Sequence, residues 1–359
     1  MWKFVMRFTA GLVLVMGVSG AHLGADRHDV TLAVTMTNDP TANAIRVYDA
    51  RTQAWLHTLP TQGKGGVGGN GRGVQQHRGE IVAVVNNGSN TVAVFRRHQN
   101  GLRFEQLVTT TSAPVSIDFG NDHMYVAGAT TVDSFVLNGN HVGGLDGTAS
   151  LELVGGALPP NGSTAQVDVI DEHRLLVTLK TDPDPGTVDV VALDHGAISG
   201  EVPTAVSAPA GTLTPFGFSV YPDGTALITL AHSSQDGLFR DGAFKTVVAA
   251  GQAAPCWTTR VGKYVFTANT GSKTLSRLVA TGNNTFIDSP LAATIPGRAP
   301  SDIDAARGEL GVIDHGAGQS HLTLFTYNAF GELKAARSVI VLGVPNANGV
   351  AIVPPTDND

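Results

Sequence analysis

The sequence predicts an all-β protein: a seven-bladed β-propeller closed by N-terminal strands that pair with a C-terminal strand. Three observations predict it. The segment Asn86-Asn87-Gly88-Ser89-Asn90-Thr91 returns as Asn269-Thr270-Gly271-Ser272-Lys273-Thr274, each copy after a short apolar strand and before an alternating one. The copies lie about 183 residues apart, four periods of about 46, which is the spacing of propeller blades. Glycine supplies 43 of 359 residues and charged residues only 15%, against a usual ~25%, a profile of many short strands and tight turns. Finally, the two ends of the chain each hold part of one blade.

Each repeat offers an inner strand, then a second strand ending in a polar turn, then outer strands. Inner strands start at Gly73-Val74, Pro114-Val115, Ala165-Gln166, Pro215-Phe216, Pro255-Cys256, Pro300-Ser301 and Asn346-Ala347. Their second strands are residues 81–85, 124–127, 174–179, 226–230, 264–268, 310–313 and 31–35. The seventh unit takes its inner strand, 350–353, from the C-terminus and its other strands from residues 31–59. Such a joint shuts the ring and removes exposed strand edges. A chain of this length exceeds one ordinary core, but a blade needs to pack only on its neighbours. Pro222-Asp223-Gly224 and Gly120-Asn121-Asp122 carry the turn chemistry between inner and second strands. Residues 63–73 are dense in glycine but lack a strand-to-helix context, so they read as a flexible link entering a blade, not a phosphate loop.

Residues 1–21 read as a signal peptide: Lys3 and Arg7, then an apolar run over 8–18, then Ser19-Gly20-Ala21. The run is too short for a comfortable membrane span. The propeller domain is placed at 30–355, and the protein is expected to be secreted or periplasmic, monomeric, and free of the membrane after cleavage. The formal charge is -7, with no basic run, which argues against nucleic acid as a partner. Cys256 is the one cysteine, so no intrachain disulfide can form.

A ligand site is expected where inner strands start and second strands end, at the mouth of the central channel. His315 follows Asp314 there, and His232 stands at a similar place in another unit; an imidazole beside a carboxylate suits a general base. Adjacent strand residues point to opposite faces, so His315 and Asp314 need not touch. Arg72 and Arg298 begin inner strands and are candidates to grip a carboxylate. Asn86 and Asn269 are candidate ligand contacts, or turn formers of the repeat. No zinc spacing, EF-hand pattern or Gly-x-Ser-x-Gly occurs, and no metal or organic cofactor is implied.

Residues 254–276, with Pro255-Cys256-Trp257 and Tyr264-Val265-Phe266-Thr267-Ala268-Asn269-Thr270-Gly271-Ser272, resemble a blade of the seven-bladed lactonase family, and residues 84–92 resemble it too. That family includes propeller-type 6-phosphogluconolactonases and fungal 3-carboxymuconate lactonizing enzymes. The resemblance implies a channel that opens or forms lactone rings with His, Glu and Arg side chains. The expected function is an exported lactonase-like propeller acting on a carboxylated small molecule in the channel. The alternative is a non-catalytic secreted propeller that binds a small molecule or an extracellular protein. A metal-dependent propeller lactonase is a third, weaker reading.

Overall fold

A computed structural model describes residues 30–151, 163–180, 184–334, 336 and 338–356. The expected signal peptide lies outside these residues. Seven antiparallel sheets form a ring. Numbered by their inner strands, blades 1 to 6 start at Val74–His77, Pro114–Gly120, Thr164–Asp171, Pro215–Val220, Pro255–Val261 and Ala299–Ala306. Blade 7 has the order Asn348–Val353, Leu32–Met36, Ala44–Asp49, Trp55–Pro60. Its C-terminal strand lies antiparallel to the first N-terminal strand, with Val353 opposite Leu32 and Val350 opposite Thr35. That register joins the chain ends as the sequence predicts.

Alternation along each strand buries one apolar set against the preceding blade and another against the following one. Val34, Ile45, Val84, Phe95, Ile117 and Phe135 thus belong to one core running through blades 7, 1 and 2. Side chains also tie one inner strand to the next. The Ser116 hydroxyl accepts from Val167 N–H at 3.2 Å, and the Gln166 amide makes both bonds to the Phe218 backbone, at 2.7 and 3.1 Å. Asp118, Asp302 and Asp304 accept from Val169, Val350 and Ile352 N–H at 2.9, 3.2 and 2.7 Å. Most inner strands carry a bulge near their start, where the register skips between Pro114 and Ser116, Thr164 and Gln166, Pro215 and Phe218, Pro255 and Trp257, and Pro300 and Asp302. A bulge re-aims side chains at the rim of a sheet. Here it does so at the channel mouth.

Candidate functional site

The glycine-rich segment 63–73 does not hang free; it lies across the mouth and closes the channel axis. Asn70 is fully buried at its tip. Its Nδ2 donates to the Val115 carbonyl at 2.7 Å, its Oδ1 accepts from Asn348 Nδ2 at 2.9 Å, and its carbonyl accepts from Trp257 Nε1 at 2.8 Å. Gly71 N–H donates to the Ala165 carbonyl at 3.0 Å. One residue thereby ties blades 2, 5 and 7 across the ring. Lys180 donates from Nζ to the carbonyls of Gly68 and Gly69 at 3.0 and 2.9 Å, and burial pulls its pKa down to about 8. Gly65 and Gly71 are there for close approach, and Gly66 and Gly69 take positive φ, 99° and 59°. A Cβ on Gly65 would lie 2.4 Å from the Asn38 backbone, and one on Gly71 would lie 2.7 Å from Gln166 Oε1. The sequence reading of a flexible link missed this, because at Gly65 and Gly71 it is packing against distant residues that selects glycine.

Arg72 ends the plug in a left-handed conformation, φ 57°, and sends its guanidinium into the channel. It meets Asp168 at 2.7 Å and Asp118 at 3.1 Å. Burial disfavours the charged guanidinium, but Asp168, Asp118, Asp304 and Asp302 outweigh burial and hold its pKa above the ordinary value. Burial raises the Asp168 carboxyl well above the carboxylate range despite Arg72, and pushes Asp302 up to about 8. The Arg72 guanidinium is thus already engaged by Asp168 and Asp118. At the far end of the same channel, Arg72, Asp168, Asp304 and Arg260 border a polar pocket of 480 Å³ on the opposite face.

Arg298 is also committed: its Nε pairs with the Asp314 carboxylate, which is fully buried and accepts from Thr323 Oγ1 at 2.5 Å. Asp314 thus faces Arg298 and Thr323, while His315, one residue on, faces the mouth. His232 is exposed in the short turn Ala231–Ser233 of blade 4 and is not among the residues around the mouth cleft. Asn86 is buried and spends its amide inside the fold, accepting from Thr61 Oγ1 at 2.7 Å and Asn43 Nδ2 at 3.1 Å. Asn269 likewise donates to Thr274 and Ser276 hydroxyls at 3.1 and 2.8 Å. These asparagines hold the repeat turn together.

What remains open on the mouth face is a cleft of 550 Å³ beside the plug, bordered by Val67, Trp257, Ser301, His315, Ala347 and Asn348 among others. In it, His315 Nε2 lies 2.7 Å from Ser301 Oγ, and Nδ1 lies 3.0 Å from Ser320 Oγ. The 344–347 segment fixes Ser320: Val344 C=O accepts Ser320 N–H at 2.9 Å, and Ala347 N–H donates to Ser320 Oγ at 3.0 Å. The ring also bonds the Pro345 carbonyl of this segment. That carbonyl accepts from a ring N–H; with the ring proton on Nδ1, the Nε2 lone pair would face the Ser301 hydroxyl. Burial lowers the His315 pKa, ahead of the opposing pull of the Pro345 bond and Asp314. The imidazole is therefore neutral at neutral pH and poised to accept a proton. Among the described residues no three His, Cys, Asp or Glu side chains are placed to hold a metal.

Ser301 and Ser320 escaped the sequence reading. Ser301 precedes His315 by two strands' worth of chain, and only the ladder, which sets Ala299 opposite His315, brings them together. The available signal was Ser301 at an inner-strand start, a position occupied elsewhere by apolar residues such as Val115 and Ala165.

No family model matches the chain, and no curated protein sequence matches it. Solved structures do match in fold. The periplasmic gluconolactonase of Pseudomonas aeruginosa superposes with a TM-score of 0.66 at 14% identity, over 91% of this chain and 99% of that one. A candidate 6-phosphogluconolactonase of Bacteroides uniformis gives 0.64 at 13% identity, over 90% and 100%. Virginiamycin B lyase of Staphylococcus aureus gives 0.55 at 14% identity, over 76% and 85%. At these identities the likeness is one of fold: a propeller architecture shared with lactonases and lyases.

Proposed function

We propose that this protein is an exported lactonase-like hydrolase that opens a small lactone in the mouth cleft beside the plug, not on the channel axis. The observation that carries the reading is His315: an imidazole held between Ser320 and Ser301 at the edge of an open cleft, with burial favouring its neutral form. Lactone opening needs a base for the attacking oxygen and an acid for the leaving alkoxide, and one imidazole serves both in turn. Trp257 and Val67 supply the apolar wall that a carbon ring needs, and Asn348 supplies an amide. Arg72 and Arg298 are both ion-paired to aspartates, so a neutral lactone fits better than a carboxylated one. Export is supported by the signal-like residues 1–21 and by a fold shared with a periplasmic enzyme.

The test is proton release from D-glucono-1,5-lactone and from simple γ- and δ-lactones. Wild type should turn over at least one, and His315→Asn should lose about 100-fold or more, the usual contribution of a general base. Because burial lowers the His315 pKa, the base form survives to lower pH than a free histidine, and the acid limb of the rate profile should lie below the usual value. Equal rates in the two proteins would remove His315 from the mechanism. A second reading has its own support: the plugged axis and the committed arginines suit a binding propeller. Calorimetric lactone binding without turnover would favour it.

A further inference from the structure

We infer that Ser301 is a nucleophile, and that the cleft works through a covalent acyl-serine intermediate; this deepens the hydrolase reading and rests on it. In five blades a residue near the inner-strand start sits in a bulge, close to the end of the second strand. The starts pair as Pro114 with Gly128, Thr164 with Leu179, Pro215 with Leu230, Pro255 with Asn269 and Pro300 with Asp314. The residues that come next in sequence are Val115 and Ala129, Ala165 and Lys180, Phe216 and Ala231, Cys256 and Thr270, and Ser301 and His315, of which the last two pairs touch. Among these five positions, blade 6 alone combines a hydroxyl with an imidazole.

The blade 5 copy shows what the same site looks like without a base. Cys256 Sγ donates to the Ala254 carbonyl at 3.4 Å, and Thr270 Oγ1 donates to the Pro300 carbonyl at 3.0 Å. Nothing there takes the thiol proton, and burial pushes the thiol up to about 11. In blade 6 the corresponding hydroxyl has a base 2.7 Å away, and that base is oriented from behind. Nucleophile, base and orienting group is the arrangement that activates a serine, with Ser320 and a backbone carbonyl in the orienting place of the usual carboxylate. Ser301 is partly exposed and borders the cleft, so an electrophile can reach it. The bulge leaves it without a partner across the ladder and sets its side chain at the rim.

The step balances within the chain and substrate. Ser301 Oγ bonds to the lactone carbonyl carbon as its proton passes to His315 Nε2. The ring C–O bond then breaks, and His315 returns that proton to the leaving oxygen, giving a hydroxyacyl ester on Ser301. Water attacks the ester, His315 takes the water proton and gives it to Ser301 Oγ, and the free hydroxy acid leaves.

The experiment uses the whole protein with p-nitrophenyl acetate as acyl donor, followed by peptide mass mapping, beside lactone turnover of wild type, Ser301→Ala and Ser301→Cys. The expected results are an acetyl group on Ser301 in the wild type, a loss of about 100-fold or more in lactone turnover in Ser301→Ala, and partial recovery in Ser301→Cys. Mapping on the wild type does not depend on any variant folding. Lactone turnover that survives in Ser301→Ala, with or without an adduct, overturns the nucleophile and leaves the hydrolase reading standing. No lactone turnover and no adduct in the wild type overturns both.

Discussion

Replacing Asn70 with alanine should release the plug at a cost that can be worked from its contacts. The substitution removes the bond from Nδ2 to Val115 and the bond from Asn348 to Oδ1, and keeps the Trp257 bond to the backbone carbonyl. Val115 lies at a bulge, with no partner across the ladder, so its carbonyl would be left bare inside the ring. Asn348 Oδ1 is already buried without a partner, so its amide would lose its remaining side-chain bond. A buried polar group stranded in this way costs about 1–3 kcal/mol. Asn348 borders the cleft, where water can replace Asn70, so the Val115 side dominates and the expected loss is about 2–3 kcal/mol. That is a large part of the 5–15 kcal/mol that separates typical folded and unfolded chains (about that range). Urea unfolding of both proteins at one pH measures it, and hydrogen exchange at Gly71 N–H, which bonds Ala165 C=O at 3.0 Å, reports the plug itself. A loss below about 0.5 kcal/mol with unchanged Gly71 exchange would refute the pinning argument.

Two further outcomes follow from buried titratable groups away from the cleft. Asp236 is buried between blades 4 and 5, and burial raises its pKa to about 7, with a weak opposing bond from Thr267. The folded chain keeps this proton between about pH 4 and 7 while the unfolded chain loses it, so stability should fall by about 1.4 kcal/mol per pH unit as pH rises through that window. Asp236→Asn should flatten that slope and be more stable than wild type at pH 8 by up to about 4 kcal/mol; an equal difference at pH 5 and pH 8 would sink the assignment. Cys256, pushed up to about 11, should react with iodoacetamide at pH 8 at least about 10-fold more slowly in the native than in the unfolded chain, as followed by mass spectrometry. Equal rates would show that the thiol is neither buried nor held neutral.

Much of the architecture was written in local patterns. Blade count, inner-strand starts and closure are legible because each blade repeats the same strand periods and turn residues, and because residues 31–59 and 350–353 each lack what the other supplies. Local chemistry also limits Asn86 and Asn269, whose place in a repeated turn already suggests that the fold consumes their amides. The cleft was less legible. Asp314 and His315 are neighbours in the chain yet serve opposite faces of one strand, one buried on Arg298 and one turned to Ser301. A strand's two-residue period separates what sequence adjacency seems to join, and the ladder joins what the chain separates. The glycine-rich plug was hidden for a related reason: Gly65 and Gly71 answer to Asn38 and Gln166, which come from elsewhere in the ring. The seven-bladed ring and its closure follow from repeated local patterns. That the axis is closed, that both arginines are spent on aspartates, and that a serine meets a histidine emerge from the folded ring alone. Those facts depend on register and on packing between distant segments, which no local pattern encodes.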